Sequence, residues 1–171
     1  MENIRHLVEV LKSQVSLYSE LSELMASEKQ AIVSWLIEKT VEITKRKEAL
    51  LRKERIQSEA RNALLSKIAA EQNVASLKIL DIIYVAREKA QTAEGDAEAT
   101  RIADELAGLC DKVTELVANI HAENISLKIL YATNNRLIND FFTQSGLTNV
   151  SAAGYGPNGG NRRMSSMQRV G

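Results

Sequence analysis

Two series of positions, each stepping by seven and offset by four, run through the second half of the chain. One is Ile102, Leu109, Leu116, Glu123, Leu130, Leu137, and the other is Leu106, Val113, Ile120, Leu127, Asn134, Phe141. Ten of these twelve positions are apolar, which predicts a helix from about Ala97 to Phe142 with a heptad seam. The seam ends at Phe141-Phe142 and the chain then turns glycine-rich. A seam of that length needs a partner helix, either in this chain or in another protein.

The first half carries a similar stripe. Ile4, Leu11, Tyr18, Met25 and Ile32 form one seven-residue series. Val8 and Val15 begin a second, which resumes at Leu36, Ile43 and Leu50. Leu7, Leu21 and Trp35 lie near the same face, so the stripe is wide enough to face a bundle core. No glycine precedes Gly95 and the first proline is Pro157, which predicts helix with few interruptions. From Lys45 to Arg55 six basic residues surround Glu48 and Glu54. This stretch either continues the first helix as a solvated segment or holds a turn. Around Asn73 a bend is expected, followed by a second helix marked by Leu77, Leu80 and Tyr84 and ending near Lys89. Gln91–Asp96 is the expected main turn, with Gly95 ending one helix in the left-handed conformation and Asp96 capping the next.

The expected fold is therefore all-α. It is an elongated antiparallel helical bundle or hairpin of about three main helices, with coiled-coil-like packing. Residues 1–145 form the body and 146–171 a tail. Six of the eight glycines and the only proline fall between Gly146 and Gly171, so the tail is expected to be disordered.

Composition narrows the functional classes. Lys+Arg and Asp+Glu both number 22, so no global field points to nucleic acid or to an anionic surface. The basic run Lys45–Arg55 has no aromatic on which a base could stack, and a solvated helix face is the simpler reading. A lone cysteine, Cys110, excludes an internal disulfide framework and fits a reducing, cytoplasmic setting. It flanks the seam beside Leu109, as a small buried apolar residue would. The longest apolar stretch, Ile79 to Ala86, is short and contains Asp81, so no membrane insertion is expected. The two histidines, His6 and His121, have no neighbours at metal-ligand spacing. The glycine-rich Gly156-Pro157-Asn158-Gly159-Gly160 lacks the lysine and following helix of a phosphate loop. No nucleophile, base, metal or cofactor constellation emerges, and no enzymatic activity is expected.

The seam's interruptions carry more information. Glu123 and Asn134 sit at core-type positions, where a polar group fixes register or partner identity if it is paired. The alternative is a slight helix rotation that carries both into solvent. Beyond Asn134 the face still holds Leu137, Ile138, Phe141 and Phe142. It is either free for a partner or packed against the N-terminal part of the first helix.

Four segments together resemble the FlgN family of flagellar export chaperones across nearly the whole chain. They are the N-terminal helix with Leu21, Leu24 and Glu28-Lys29-Gln30-Ala31; Lys47-Glu48-Ala49-Leu50-Leu51 with Arg61 downstream; the asparagine-punctuated Asn124, Asn134-Asn135, Leu137-Ile138; and the tail Tyr155-Gly156-Pro157-Asn158-Gly159. The sequence departs from the family in one place. Many members have a glycine-aspartate break early in the first helix, whereas Val33–Glu38, with Trp35, reads here as unbroken helix. The resemblance implies a cytoplasmic chaperone that holds the terminal helices of hook–filament junction proteins. It would deliver them to the cytoplasmic domain of the type III export gate. It implies client binding by Leu127, Leu130, Asn134, Leu137, Ile138 and Phe141, and gate docking by Tyr155, with no cofactor. The stretch Ile102–Ile120 is then spent on the chain's own fold. The alternative is a structural coiled-coil protein whose seam pairs with itself as a homodimer.

Overall fold

A computed structural model describes residues 2–90 and 97–145. Among these residues the chain forms four α-helices and no strand: α1 (Glu2–Val33), α2 (Ile37–Glu71), α3 (Ile79–Ala90) and α4 (Ala97–Gln144). The turn expected at Gln91–Asp96 and the tail 146–171, with Tyr155, lie outside the described residues. The chain divides into two compact units, Met1–Tyr131 and Ala132–Gly171.

In the first unit α2 folds back along α1. Contacts from Gln57 to Ser13, Arg46 to Glu20 and Lys47 to Glu28 run in opposite chain directions and set the pair antiparallel. The reversal lies at Ser34-Trp35-Leu36, where an unbroken helix was expected. The Leu36 N–H reaches back to Ala31 O (2.9 Å) and the Trp35 N–H to Ile32 O (3.2 Å), with Trp35 left-handed at φ 55°. These are the two bonds of a Schellman cap, which glycine or asparagine usually closes. A tryptophan there costs about 1–2 kcal/mol of backbone strain, which is why sequence pattern gives no warning of it. Packing outweighs that cost. A continuous rod would leave the α1 stripe and the Ile43–Leu50 stripe both in water. The hairpin instead buries Leu17, Leu21, Leu24, Met25, Ala31 and Ile32 with Ile43 and Leu50. The stretch Lys45–Arg55 is accordingly continuous helix within α2.

The expected bend at Asn73 is present, and it uses the same two bonds: Val74 N–H to Ala69 O (3.0 Å) and Asn73 N–H to Ala70 O (3.2 Å). Asn73 takes φ 55°, a conformation asparagine tolerates. α3 then starts with the Asp81 carboxylate accepting from the Lys78 N–H at 2.8 Å, half of a capping box. Its buried face is Ile82, Ile83 and Ala86, while Leu80 and Tyr84, which marked this helix in the sequence, are exposed.

α4 runs parallel to α1. Arg5 meets Glu98, Lys12 meets Glu105 at 2.8 Å and Lys29 meets Glu123 at 3.7 Å, an offset of 93 or 94 positions throughout. Two apolar clusters result. Leu7, Val8 and Leu11 of α1 join Ile68, Ile82, Ile83, Ile102, Ala103 and Leu106 in one. Leu127 joins the α1–α2 hairpin in the other. Between them lies a polar layer. Gln14, fully buried, donates to Ser58 Oγ (3.3 Å) and accepts from Arg61 (3.2 Å), and Ser58 and Tyr18 both donate to Glu54 Oε1 (2.6 and 2.9 Å). A one-turn slip of α2 along α1 would strand every member of this layer, so it fixes the register of the hairpin.

Candidate functional site

The six residues expected to bind a client separate in the structure. Leu127 is buried in the second core cluster and Leu130 packs against that cluster, so both belong to the chain's own fold. The expectation that a client covers Leu127 is corrected on that point: at 3% exposure it has no surface left to offer. At the α1–α4 offset Val33, the last α1 residue, falls level with Leu127, so α1 supplies no later partner position. The N-terminal part of α1, the alternative partner for the distal seam, is already buried in the first cluster.

The second unit contains the other four. Asn134 is half-buried, while Leu137 (55%), Ile138 (38%) and Phe141 (64%) are exposed, and so is Phe142 (47%). Spacings of three and four place Asn134, Leu137, Ile138, Phe141 and Phe142 on one helical face. The two phenyl rings meet edge to face with centroids 5.9 Å apart, a favourable arrangement that holds them as one apolar surface. Arg136 and Asp140 pair along the helix at 3.8 Å, leaving the described part of this unit without excess charge. Tyr155, expected to dock to the export gate, lies outside the described residues.

At the end of the first unit a polar triad around one buried carboxylate ties three helices together. The Glu28 carboxylate, 3% exposed, receives Lys47 Nζ at 2.5 Å and the Tyr131 hydroxyl at 2.9 Å. Two of the segments that carry the family resemblance, around Glu28 and around Lys47, therefore meet in space. The other polar interruption of the seam, Glu123, is half-buried. Its Oε2 lacks a hydrogen bond and faces Lys29 Nζ at 3.7 Å, a charge contact only.

Tyr131 is pushed up to about 12, first by burial and then by its hydrogen bond to Glu28. Tyr18 is pushed up to about 12 by burial and its bond to Glu54. Both phenols are thus held neutral in the fold beyond the value near 10 at which an unfolded chain ionises. Their contribution is complete below about pH 10 and is lost as pH rises through about 12. Unfolding free energy is expected to fall across that window, and Tyr18→Phe with Tyr131→Phe should flatten the fall. An equally steep fall in the double variant would assign the alkaline loss to other groups.

Cys110 is partly buried beside the first cluster. Burial, followed by the Asp111 charge, pushes its thiol up, the opposite of what an activated nucleophile needs. Among the described residues no group of three or more His, Cys, Asp or Glu could hold a metal ion, and no helix is long and apolar enough to cross a membrane. Of the six basic residues in Lys45–Arg55, Arg46, Lys47 and Arg55 face the carboxylates of Glu20, Glu28 and Glu59. Comparison of the chain with protein-family models, with curated proteins and with solved structures finds no match.

Proposed function

We propose that the protein is a non-enzymatic, cytoplasmic export chaperone of the FlgN type, and that the distal face of α4 captures an amphipathic helix of its client. The observation that supports this reading is the exposed surface of Leu137, Ile138, Phe141 and Phe142. It continues a seam whose earlier members, Ile102, Leu106 and Leu127, are buried in the chain's own core. A client helix laid on this face completes the packing in the helix-in-groove mode. Terminal helices of hook–filament junction proteins, amphipathic and unpartnered before assembly, are the clients the family resemblance implies.

The face is small. Full burial of such side chains contributes about 1.5–3 kcal/mol each, and these are already partly covered. Association costs of about 4 kcal/mol or more leave weak, reversible binding, which suits a hand-off. Delivery to the cytoplasmic domain of the export gate falls to the tail, through Tyr155.

A second reading uses the same face. Asn134 occupies a core-type position, and an asparagine there pairs well with its own copy, as it does in coiled-coil dimers. Native mass measurement of the chain mixed with junction-protein terminal-helix peptides separates the two readings. A one-to-one heterocomplex is expected. A salt-stable homodimer indifferent to the peptides would establish self-association instead. Tyr155→Ala should spare the heterocomplex and weaken binding to the gate domain. Unchanged gate affinity would remove Tyr155 from the docking site.

A further inference from the structure

We propose that a second seam on α4, centred on Ala118, Ala122, Ile125 and Ile129, is an interface for a second copy of this chain, which packs its own α4 there in the opposite sense. The interface shares no residue with the client face and does not depend on the chaperone reading.

The four residues follow one another at intervals of four, three and four, the spacing of one helical stripe. Ile125 and Ile129 each stand two residues from Leu127, about 200° round the helix from it. Leu127 is buried with α1 and α2, and Ile120 and Leu130 pack against the same cluster. On the other side Ile125 is 47% exposed and Ile129 62%, and Ala118 and Ala122 are exposed as well. A helix with apolar stripes on opposite sides is stabilised when both are covered.

The order of side-chain sizes says what covers this one. The seam has a small half, Ala118 and Ala122, followed by a large half, Ile125 and Ile129. Consider two copies run antiparallel about a two-fold axis level with the bond between Glu123 and Asn124. Ala122 then faces the partner's Ile125, Ala118 faces the partner's Ile129, and the symmetry repeats both contacts. Every layer joins one small and one large side chain, the arrangement that fills the space between helices without voids or clashes. A parallel copy would set isoleucine on isoleucine and alanine on alanine, so the large half would hold the small half apart. The seam complements itself when reversed, which is what an isologous interface requires.

Charge selects the same register. The stripe's spacing runs back through Glu115 to Asp111 and on through Ala132 to Arg136, and no charged residue occupies it between Glu115 and Arg136. In the antiparallel pair Asp111 lies level with the partner's Arg136, and Glu115 one turn from it. The two-fold axis gives this contact at both ends. A parallel pair would instead oppose aspartate with aspartate and arginine with arginine. Within the chain Arg136 meets Asp140 only at 3.8 Å, with its side chain 84% exposed, so it can turn to a closer acid.

Four apolar layers bury less than the roughly 1,200 Å² at which standard interfaces begin, so the pair is weak and reversible. Each copy keeps its own client face, so chain and client remain equal in number whether or not the copies pair.

Sedimentation equilibrium of the full chain, without client peptide and over a concentration series, tests the proposal. A monomer–dimer equilibrium is expected. Ile125→Ala leaves a void and Ala122→Ile sets isoleucine against isoleucine, so each alone should raise the dissociation constant about tenfold. Combined, the two exchange sizes across the same layer and should return the constant to near its parent value. Circular dichroism should be unchanged in all three, since both positions are exposed. Leu137→Asp with Ile138→Asp should dimerise like the parent chain. Four outcomes would overturn the proposal: a monomer throughout the series; a tighter dimer in Ala122→Ile, the mark of a parallel pair; no recovery in the combined variant; or loss of the dimer in the Leu137→Asp, Ile138→Asp variant, which would assign self-association to the client face.

Discussion

Replacing Leu137 and Ile138 together by aspartate is expected to weaken client-helix binding at least a hundredfold while leaving helicity and the unfolding midpoint nearly unchanged. Each side chain stands to gain a substantial part of the roughly 1.5–3 kcal/mol that full burial of a leucine or isoleucine contributes. The double variant forfeits that gain and forces two carboxylates against an apolar partner, where they are costly unless paired. About 2.8 kcal/mol corresponds to a hundredfold in affinity, and the two losses together exceed it. In the free chain the same residues are exposed, and surface substitutions typically move stability by about 0.5 kcal/mol or less. Circular dichroism and a peptide-binding isotherm measured on the same sample separate the two effects. A collapse of helicity would show that Leu137 and Ile138 support the fold, and intact binding would move the client elsewhere.

The largest stability change is expected at Lys47. Lys47→Met leaves the Glu28 carboxylate at 3% exposure with only the Tyr131 hydroxyl as partner. Breaking a buried ion pair from one side costs about 3–5 kcal/mol, and the surviving hydrogen bond puts this case near the lower end. That is a large fraction of the roughly 5–15 kcal/mol that holds a domain together. The reverse substitution is expected to be mild. In Glu28→Leu the remaining Lys47, whose side chain is 20% exposed, can extend its ammonium into water along its flexible stem. The double variant, Glu28→Leu with Lys47→Met, removes both charges and should recover most of the loss, which chemical denaturation of the four proteins would measure as a coupling energy. If Lys47→Met proved no more damaging than Glu28→Leu, Glu28 would be hydrated and its pair with Lys47 would not hold α2 to α1.

The helical class and the long final helix were legible because heptad spacing and the lack of breakers are local properties. The Asn73 bend was legible for a related reason: asparagine tolerates the left-handed conformation that ends α2. The hairpin at Trp35 was not. Its residues favour continued helix or strand, and the energy that reverses the chain comes from contacts tens of residues apart, such as Met25 and Leu21 with Ile43 and Leu50. On α3 the apolar residues were visible, but which of them face inward depends on where Leu7, Leu11 and Ile68 stand, so the exposure of Leu80 and Tyr84 was not legible.

The candidate site divides in the same manner. The seam from Ile102 to Phe141 is written in the sequence, and every member looks equally in need of a partner. Periodicity records which side chains share a face, and it contains no information on how far a neighbouring helix extends beside them. That length was decided by the fold. α1 stops at Val33, level with Leu127 on α4, because the chain turns at a tryptophan that only the packing of α2 onto α1 holds in place. Leu127 is therefore core, and the apolar face from Leu137 to Phe142 is surface. The same turn, invisible in the pattern of the chain, is what brings Trp35 and its apolar neighbours to the hairpin tip.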